Sequence, residues 1–193
     1  MKTSATIFAT LFAMSSLLAQ DIEFFREDLT FRLEEGFFSV EGDYFFRNTT
    51  DGEVKNLLLY PFPDNEIYGS IIELNINVKD NSTSMITGSS EEGAAFKLKL
   101  GPMEEATYRI SYVQRLKSNV ARYIITTTKQ WGKELEAATY RLVVPASIQL
   151  DSISILPDTM ITTGSHHYFL WDRQNFMPEV DFIFQFSRST GND

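Results

Sequence analysis

The chain has 193 residues, of which 43% are hydrophobic and 13% aromatic, and its formal net charge is −9. This hydrophobic content excludes a disordered chain, and the acidic balance disfavours nucleic acid and anionic lipid as partners. The sequence contains no cysteine, which excludes disulfides, thiolate zinc sites and thiol catalysis. The length fits one domain with a sizeable core, predicted over residues 20–193.

Residues 1–19 have the pattern of a secretory signal peptide. Lys2 supplies the positive start, Ala5–Ala19 is uncharged and mostly apolar, and the small residue Ala19 precedes Gln20. Cleavage is therefore predicted between Ala19 and Gln20. The alternative is a membrane anchor, but the run of 15 residues is shorter than the ~18–20 needed to cross a bilayer. We expect export to the periplasm, the cell surface or the medium, without a membrane span in the mature chain.

Residues 36–63 predict a β-hairpin around which the fold is organised. Apolar and polar residues alternate between Phe38 and Phe46, as in a half-buried strand. Asp51-Gly52 predicts a tight turn with positive backbone φ, and the sequon at Asn48 is interpreted as the mark of an exposed turn. Val54–Tyr60 is nearly all apolar, which predicts a central strand covered on both faces.

The other predicted strands follow in chain order and end at glycine, proline or polar turns. They cover residues 22–33, with a bulge near 26–28, and then 72–78, 96–100, 108–117, 120–128, 138–144, 148–156, 160–172 and 180–186. A helical turn is suggested only at 134–138. Together with the hairpin this gives about eleven short strands at the spacing typical of sandwiches and barrels. The predicted fold is a single all-β domain, an antiparallel β-sandwich.

Three phrases of the sequence resemble a group of secreted bacterial β-sandwich domains of unknown function, which are similar in style to the VIT-type sandwich of inter-α-trypsin inhibitor heavy chains. They are FFRNTTDGEVKNLLLYPFP, LGPMEEATYRISYVQRL and YIITTTKQWGKELEAATYRLVVP, and they lie within residues 37–145. None of them is a catalytic motif. The resemblance therefore implies a fold and export, and no activity.

Catalytic and metal-binding motifs find little support in the sequence. The two histidines are adjacent, at His166 and His167, and neighbours on a strand point to opposite faces, so no shared metal site is predicted. No G-x-S-x-G elbow, phosphate loop or dinucleotide fingerprint occurs, and no cofactor is predicted. A carboxylate pair for glycan hydrolysis stays open, since several acidic residues of the last third could meet in space. These residues are Asp151, Asp158, Asp172, Glu179 and Asp181.

Four aromatic residues are the candidate binding residues. They are Trp131, Tyr168, Trp171 and Phe176. An exposed aromatic ring can stack on a sugar or anchor a protein partner. The alternative is that these rings fill the core, since large aromatics dominate the cores of β-sandwiches.

The sequence therefore predicts an exported protein of the bacterial envelope or exterior that catalyses nothing and binds a protein or a glycan. A second hypothesis is a small outer-membrane β-barrel, because the mature length suits eight strands and aromatics are plentiful. Against it, the prolines at 61, 63, 145 and 157 cut the chain into short strands. A glycan hydrolase on a sandwich scaffold is the third hypothesis.

Overall fold

The computed structural model describes residues 21–188, most of which lie in thirteen β-strands. The strands are β1 (Ile22–Glu34), β2 (Phe37–Asn48), β3 (Val54–Pro61), β4 (Ser70–Val78), β5 (Ile86–Ser89), β6 (Gly93–Leu100), β7 (Glu105–Arg115), β8 (Val120–Tyr123), β9 (Leu135–Pro145), β10 (Ile148–Ile153), β11 (Thr159–Thr163), β12 (His166–Phe176) and β13 (Phe182–Arg188). A short helix α1 (Asn65–Tyr68) follows β3, and a 3-10 helix (Thr126–Trp131) follows β8. The predicted all-β fold class is confirmed, with thirteen strands instead of eleven.

The strands form two layers. One layer is a seven-stranded sheet in the order β11-β12-β9-β1-β2-β7-β4, and the other consists of two three-stranded sheets, β10-β13-β8 and β3-β6-β5. Neighbouring strands are antiparallel, apart from the parallel pair β1–β9. The alternation of apolar and polar residues turns one face of the large sheet toward the smaller sheets. We call its opposite side the open face.

Phe31 lies at the centre of the core between the layers. It is fully buried, and its ring is 5.3 Å from that of Phe182 and 5.7 Å from that of Phe184, both on the facing sheet. On the other half of the sandwich, Phe96 packs on Tyr108 at 5.9 Å. Rings at these separations add to the stabilisation from burial alone. The core is therefore an aromatic layer that joins all three sheets.

Hydroxyl groups inside the core link the two smaller sheets. The Tyr44 hydroxyl is 2.9 Å from the Tyr60 hydroxyl on β3 and 2.9 Å from the Tyr123 hydroxyl on β8. The free edges of β3 and β8 therefore come together over Tyr44. Nearby, the buried Glu27 accepts a hydrogen bond from the Tyr140 hydroxyl at 2.5 Å. Burial raises the pKa of Glu27 to about 7, although the Tyr140 hydrogen bond acts in the opposite direction.

The predicted hairpin of residues 36–63 is wrong. β2 pairs with β1 and β7, whereas β3 pairs with β6 in another sheet. The turn between them is fixed by Asn48, whose side-chain oxygen accepts from the Thr50 backbone N–H while its amide donates to the Gly52 and Gly101 carbonyl oxygens. Asn48 is only 2% exposed, so this sequon does not mark an exposed side chain. Gly52 does not have the positive φ that was predicted for it.

β3 is an edge strand of its sheet, which contradicts the prediction of a central strand at Val54–Tyr60. Leu57 is 59% exposed and Leu59 is 42% exposed, because they point away from the core. Tyr60 points inward and is buried. A continuous apolar run predicts cover on both faces of a strand, but here only one face of β3 is covered.

Two local predictions have different outcomes. The register of β1 against β2 shifts between Phe24 and Arg26, which confirms the predicted bulge. The bulge turns Phe25 to the side of Phe45, and Arg47 lies over the Phe25 ring at 4.7 Å. The helical turn predicted at 134–138 is wrong, because β9 begins at Leu135.

The strand predicted over residues 120–128 ends early, at Tyr123, and the chain continues into the 3-10 helix. Asp181, which precedes β13, causes this change of direction. One of its oxygens accepts from the backbone N–H groups of Ile125 and Thr126, at 3.1 and 3.0 Å. The other accepts from Arg122 at 2.5 and 2.9 Å. Although burial acts to raise it, the pKa of Asp181 is lowered, because Arg122 and Thr126 stabilise the ionised carboxylate.

Within residues 21–188 no helix is long and apolar enough to cross a membrane. The predicted signal peptide, with its cleavage site at Ala19 and Gln20, lies outside the described residues.

Candidate functional site

A groove runs across the open face of the seven-stranded sheet. Its volume is about 440 Å³, and it crosses β12, β9, β1, β2 and β7. The residues that point into it from the open face are Asp28, Thr30, Glu41, Asp43, Arg109, Thr139, Arg141 and Leu170. A smaller depression adjoins the groove and shares Thr30 and Glu41 with it. We call these eight residues and the space between them the groove.

Strand register fixes the centre of the groove. Thr30 on β1 pairs with Arg141 on β9 and with Glu41 on β2, so the three side chains form one row across three strands. Adjacent strands are ~4.8 Å apart, which places Arg141 and Glu41 on either side of Thr30 about 10 Å from each other. The floor of the groove is thus a short hydroxyl side chain between one positive and one negative wall.

The two walls hold charges that are free for a ligand. Among residues 21–188, the side chains of Arg141 and Glu41 take part in no hydrogen bond or ion pair, and both residues are exposed; Glu41 acts on Arg109 only through its charge. A guanidinium group donates in a fixed fork and a carboxylate accepts at two oxygens. The row can therefore hold a molecule that has hydrogen-bond acceptors at one end and donors at the other.

The charged side chains in the next row of the groove already have partners. Asp43 accepts from Arg109 at 2.8 and 3.0 Å and from Lys79 at 2.9 Å. Partial burial acts to raise the pKa of Asp43, but these two cations hold it below its usual value. On the other side, Asp28 accepts from the Thr139 hydroxyl at 2.6 Å. These pairs hold the side chains of this row in place, so the shape of the groove varies little here.

The four aromatic candidates lie in different places. Tyr168 is half-buried on the open face, where it pairs across strands with Val143 and Ile161 beside the groove. Trp171 is 2% exposed on the opposite side of the same strand, and its indole N–H donates to the Ile155 carbonyl oxygen at 3.0 Å. A ligand therefore has access to Tyr168 and no access to the indole of Trp171 in this conformation.

The other two candidates pack against the core. Trp131, in the 3-10 helix, contacts the rings of Phe24 and Phe46 at 5.8 and 5.6 Å. Phe176 packs edge-on against Tyr140 at 6.3 Å. Both rings are half-buried and stabilise the ends of the sandwich. Their contacts match the alternative that these aromatics fill the core.

The two histidines are not brought into one site, whereas Asp158 and Asp172 of the acidic candidates lie next to each other. His166 and His167 point to opposite sides of β12, where His167 contacts Thr162 and His166 contacts Ser165. Asp158 accepts from Arg173 and from the Asp172 backbone N–H. In the described part of the chain, no three His, Cys, Asp or Glu side chains cluster as metal ligands would.

No protein-family model matches the chain, and no curated protein matches it. Among solved structures, the chain is similar to a proposed nutrient-binding protein of Legionella pneumophila subsp. pneumophila str. Philadelphia 1. The TM-score is 0.70 at 15% identity, over 86% of this chain and 67% of that chain.

Two structures of M1 zinc metallopeptidases also match, one of them from Deinococcus radiodurans and the other with bound L-tryptophan. Both have a TM-score of 0.49 and 13% identity over 86% of this chain. The chain spans 42% of the Deinococcus structure and 43% of the one with L-tryptophan. At 15% identity the similarity with the Legionella structure shows the fold alone.

Sequence reasoning missed the groove. Thr30, Arg141 and Glu41 lie far apart in the chain, and each is an ordinary polar residue on the exposed side of a strand. Only the register of β9, β1 and β2 brings them into one row. A parallel contact between β1 and β9 has no local sequence signal, so nothing in the pattern of single strands could have found the site.

Proposed function

We propose that this protein is an exported binding protein without catalytic activity, and that it holds a short glycan in the groove on the open face. The observation that carries the proposal is the row Arg141–Thr30–Glu41, in which two unpaired and oppositely charged side chains flank a hydroxyl floor. Sugars present closely spaced hydroxyl groups that donate and accept. Such a row can satisfy both roles.

The size of the groove supports a small ligand. Its volume of about 440 Å³ falls within the range of ~300–1,000 Å³ that is typical of small-molecule sites. Tyr168 beside it offers an aromatic surface next to Leu170, two positions along on the same side of β12. A sugar ring can pack its C–H face on such a surface while its hydroxyl groups contact the charged walls. The face of a sheet also offers no free backbone for an extended peptide to pair with.

The absence of catalysis is part of the proposal, and the contacts of the acidic residues support it. Asp43 and Asp181 are both tied to cations, and the pKa of each is lowered, mainly by hydrogen bonds that overcome the effect of burial. A general acid for glycan hydrolysis needs a raised pKa and access to the substrate. The pKa of Glu27 is raised, but Glu27 is 1% exposed inside the core and does not line the groove. Export rests on the pattern of residues 1–19.

Binding in the groove is tested with variants that fill it or remove its charge. Thr30→Trp fills the floor, and Arg141→Ala removes the positive wall. We expect a labelled protein to bind defined glycans on an array. Each variant should weaken binding of those glycans by about tenfold or more. This is the loss expected when one charge-assisted contact is removed or when the floor of the groove is blocked. Thr107→Trp is the matched control, since Thr107 lies on the same face outside the groove.

Two outcomes would contradict the proposal. One is glycan binding that survives both groove variants. The other is the failure of every glycan on the array, while Thr30→Trp and Arg141→Ala remove a protein partner captured from envelope extract. The second outcome would assign the groove to a protein ligand instead. Thermal unfolding of each variant shows whether a loss of binding comes from a loss of folding.

A further inference from the structure

The outer edges of the two layers differ in how they are protected. These edges are β4 and β11 in the large sheet, and β5 and β10 in the smaller sheets. The register of β4 shifts between Ile71 and Glu73, and that of β5 shifts between Ile86 and Gly88. The register of β10 shifts between Leu150 and Ser152. Bulges of this kind twist an edge away from further pairing.

The β4 edge has additional cover. A backbone hydrogen bond from Met85 to Ile76, at 2.8 Å, and a bridge between Asn77 and Ser84 occupy part of it. Glu73 adds a charge at the bulge. This edge is therefore closed to another strand by three devices at once.

Within residues 21–188, the β11 edge has none of these devices. Its five residues, Thr159–Thr163, pair with β12 in one continuous register, and all five are exposed. The sequence TMITT has no charge, no proline and no glycine, and three of its residues are β-branched threonines around Ile161. Met160 is 68% exposed and Ile161 is 47% exposed. A regular, uncharged and exposed edge of this composition is a template for pairing with another strand.

We propose that β11 pairs antiparallel with β11 of a second copy of this chain, centred on Ile161, so that the two seven-stranded sheets become one. An isologous pair of this kind buries the same edge on both molecules and closes after two copies. This pairing satisfies the backbone N–H and C=O groups at the β11 edge without any other partner. This proposal does not depend on what the groove binds.

The choice of a second copy follows from the sequence of the edge and its flanks. In a register centred on Ile161, Thr159 faces Thr163 and Met160 faces Thr162, so no charged residues oppose each other. Asp158, the acidic residue next to the strand, faces Gly164 of the other copy. Like charges directly opposite would destabilise the pair, and this register avoids them although the chain has a net charge of −9.

The test is the mass of the protein lacking residues 1–19, measured by light scattering during size-exclusion chromatography, with Ile161→Lys as the main variant. The wild type should elute with twice the monomer mass. Ile161→Lys places two ammonium groups face to face across the symmetry axis, so its dimer should dissociate at least about tenfold more readily. Ile72→Lys is the matched control, because Ile72 is 45% exposed on the opposite edge of the same sheet, and it should remain dimeric.

A charge-swap mixture makes the test specific for this register. Ile161→Glu alone should also be monomeric, whereas an equimolar mixture of Ile161→Lys and Ile161→Glu should form a heterodimer. A monomeric wild type at about 100 µM, a concentration at which an interface of even modest affinity is populated, overturns the proposal. A dimer that survives Ile161→Lys, or a mixture that stays monomeric, overturns it as well. Circular dichroism of each variant shows whether the fold is intact.

Discussion

Glu27→Gln is expected to make the protein markedly more stable at pH 8 and to remove most of its pH dependence between pH 5 and pH 8. Glu27 is buried, and its pKa is raised from 4.5 to about 7, chiefly by burial. The folded state therefore holds the proton more tightly than the unfolded state. The stability that this group contributes is complete below pH 4.5 and is lost as the pH rises through 7.

The size of this effect follows from the shift. The rise in the pKa of Glu27 from 4.5 to about 7 lowers the unfolding free energy at high pH by about 3 kcal/mol. Glutamine is neutral at every pH and its side-chain oxygen can still accept from Tyr140. Urea unfolding at pH 5.0, 6.5 and 8.0 measures the difference. Glu41→Gln, the same substitution at an exposed position on the neighbouring strand, should keep the wild-type slope.

A wild-type protein whose unfolding free energy is the same at pH 5 and pH 8 would contradict this prediction. So would a Glu27→Gln variant with an unchanged slope. The lowered pKa values of Asp43 and Asp181 do not interfere, because the stability that they add is lost only as the pH falls below about 4. The two effects therefore belong to separate parts of the pH range.

Asp181→Asn is expected to lower the unfolding free energy by about 3 kcal/mol at pH 7. Asp181 is 8% exposed and holds Arg122, Ile125 and Thr126 at one carboxylate. An asparagine amide turned toward Arg122 places two donors against each other and leaves the guanidinium without its partner. The loop between β8 and the 3-10 helix also loses its anchor.

Asp158→Asn is the matched comparison for this prediction. The Asp158 side chain is 45% exposed and forms its ion pair with Arg173 near the surface. An exposed pair contributes at most about 1 kcal/mol, so this variant should unfold close to the wild type. Equal losses for the two variants in urea unfolding would show that Asp181 does not act as a buried anchor.

The sequence predicted those parts of the fold that depend on one strand at a time. The alternation around Phe96, Leu98 and Leu100 placed these residues in the core, where they are fully or almost fully buried. The change of phase near Arg26 predicted the bulge in β1. Burial on one face produces such signals locally, without knowledge of the neighbouring strand.

The pairing of one strand with another could not be predicted from these local patterns. A turn signal at Asp51-Gly52 shows that the chain changes direction, but it does not show that β3 leaves the sheet of β2 and pairs with β6. The apolar run of β3 could not reveal that Leu57 and Leu59 remain exposed. The 3-10 helix depends on a carboxylate 55 positions further along, in the bond from Thr126 to Asp181.

The candidate site was the least predictable part. Tyr168 was a candidate binding residue only because it is aromatic, and it lies beside the groove. The groove itself is a product of register between strands that are distant in the chain. Polar residues such as Thr30 and Arg141 have no distinguishing feature before β1 and β9 meet.

The place of β1 in the middle of the large sheet determines the order in which the chain can assemble. β1 pairs on one side with β2, which follows directly, and on the other with β9, where Arg26 contacts Ala137 at a separation of 111 positions. Contacts at such distances slow folding because a long loop must close first. The earliest strand to be synthesised therefore waits for one of the later ones. Until β9 arrives, the side of β1 that pairs with it has unpaired backbone groups, so a solvated edge lies at what becomes the centre of the large sheet.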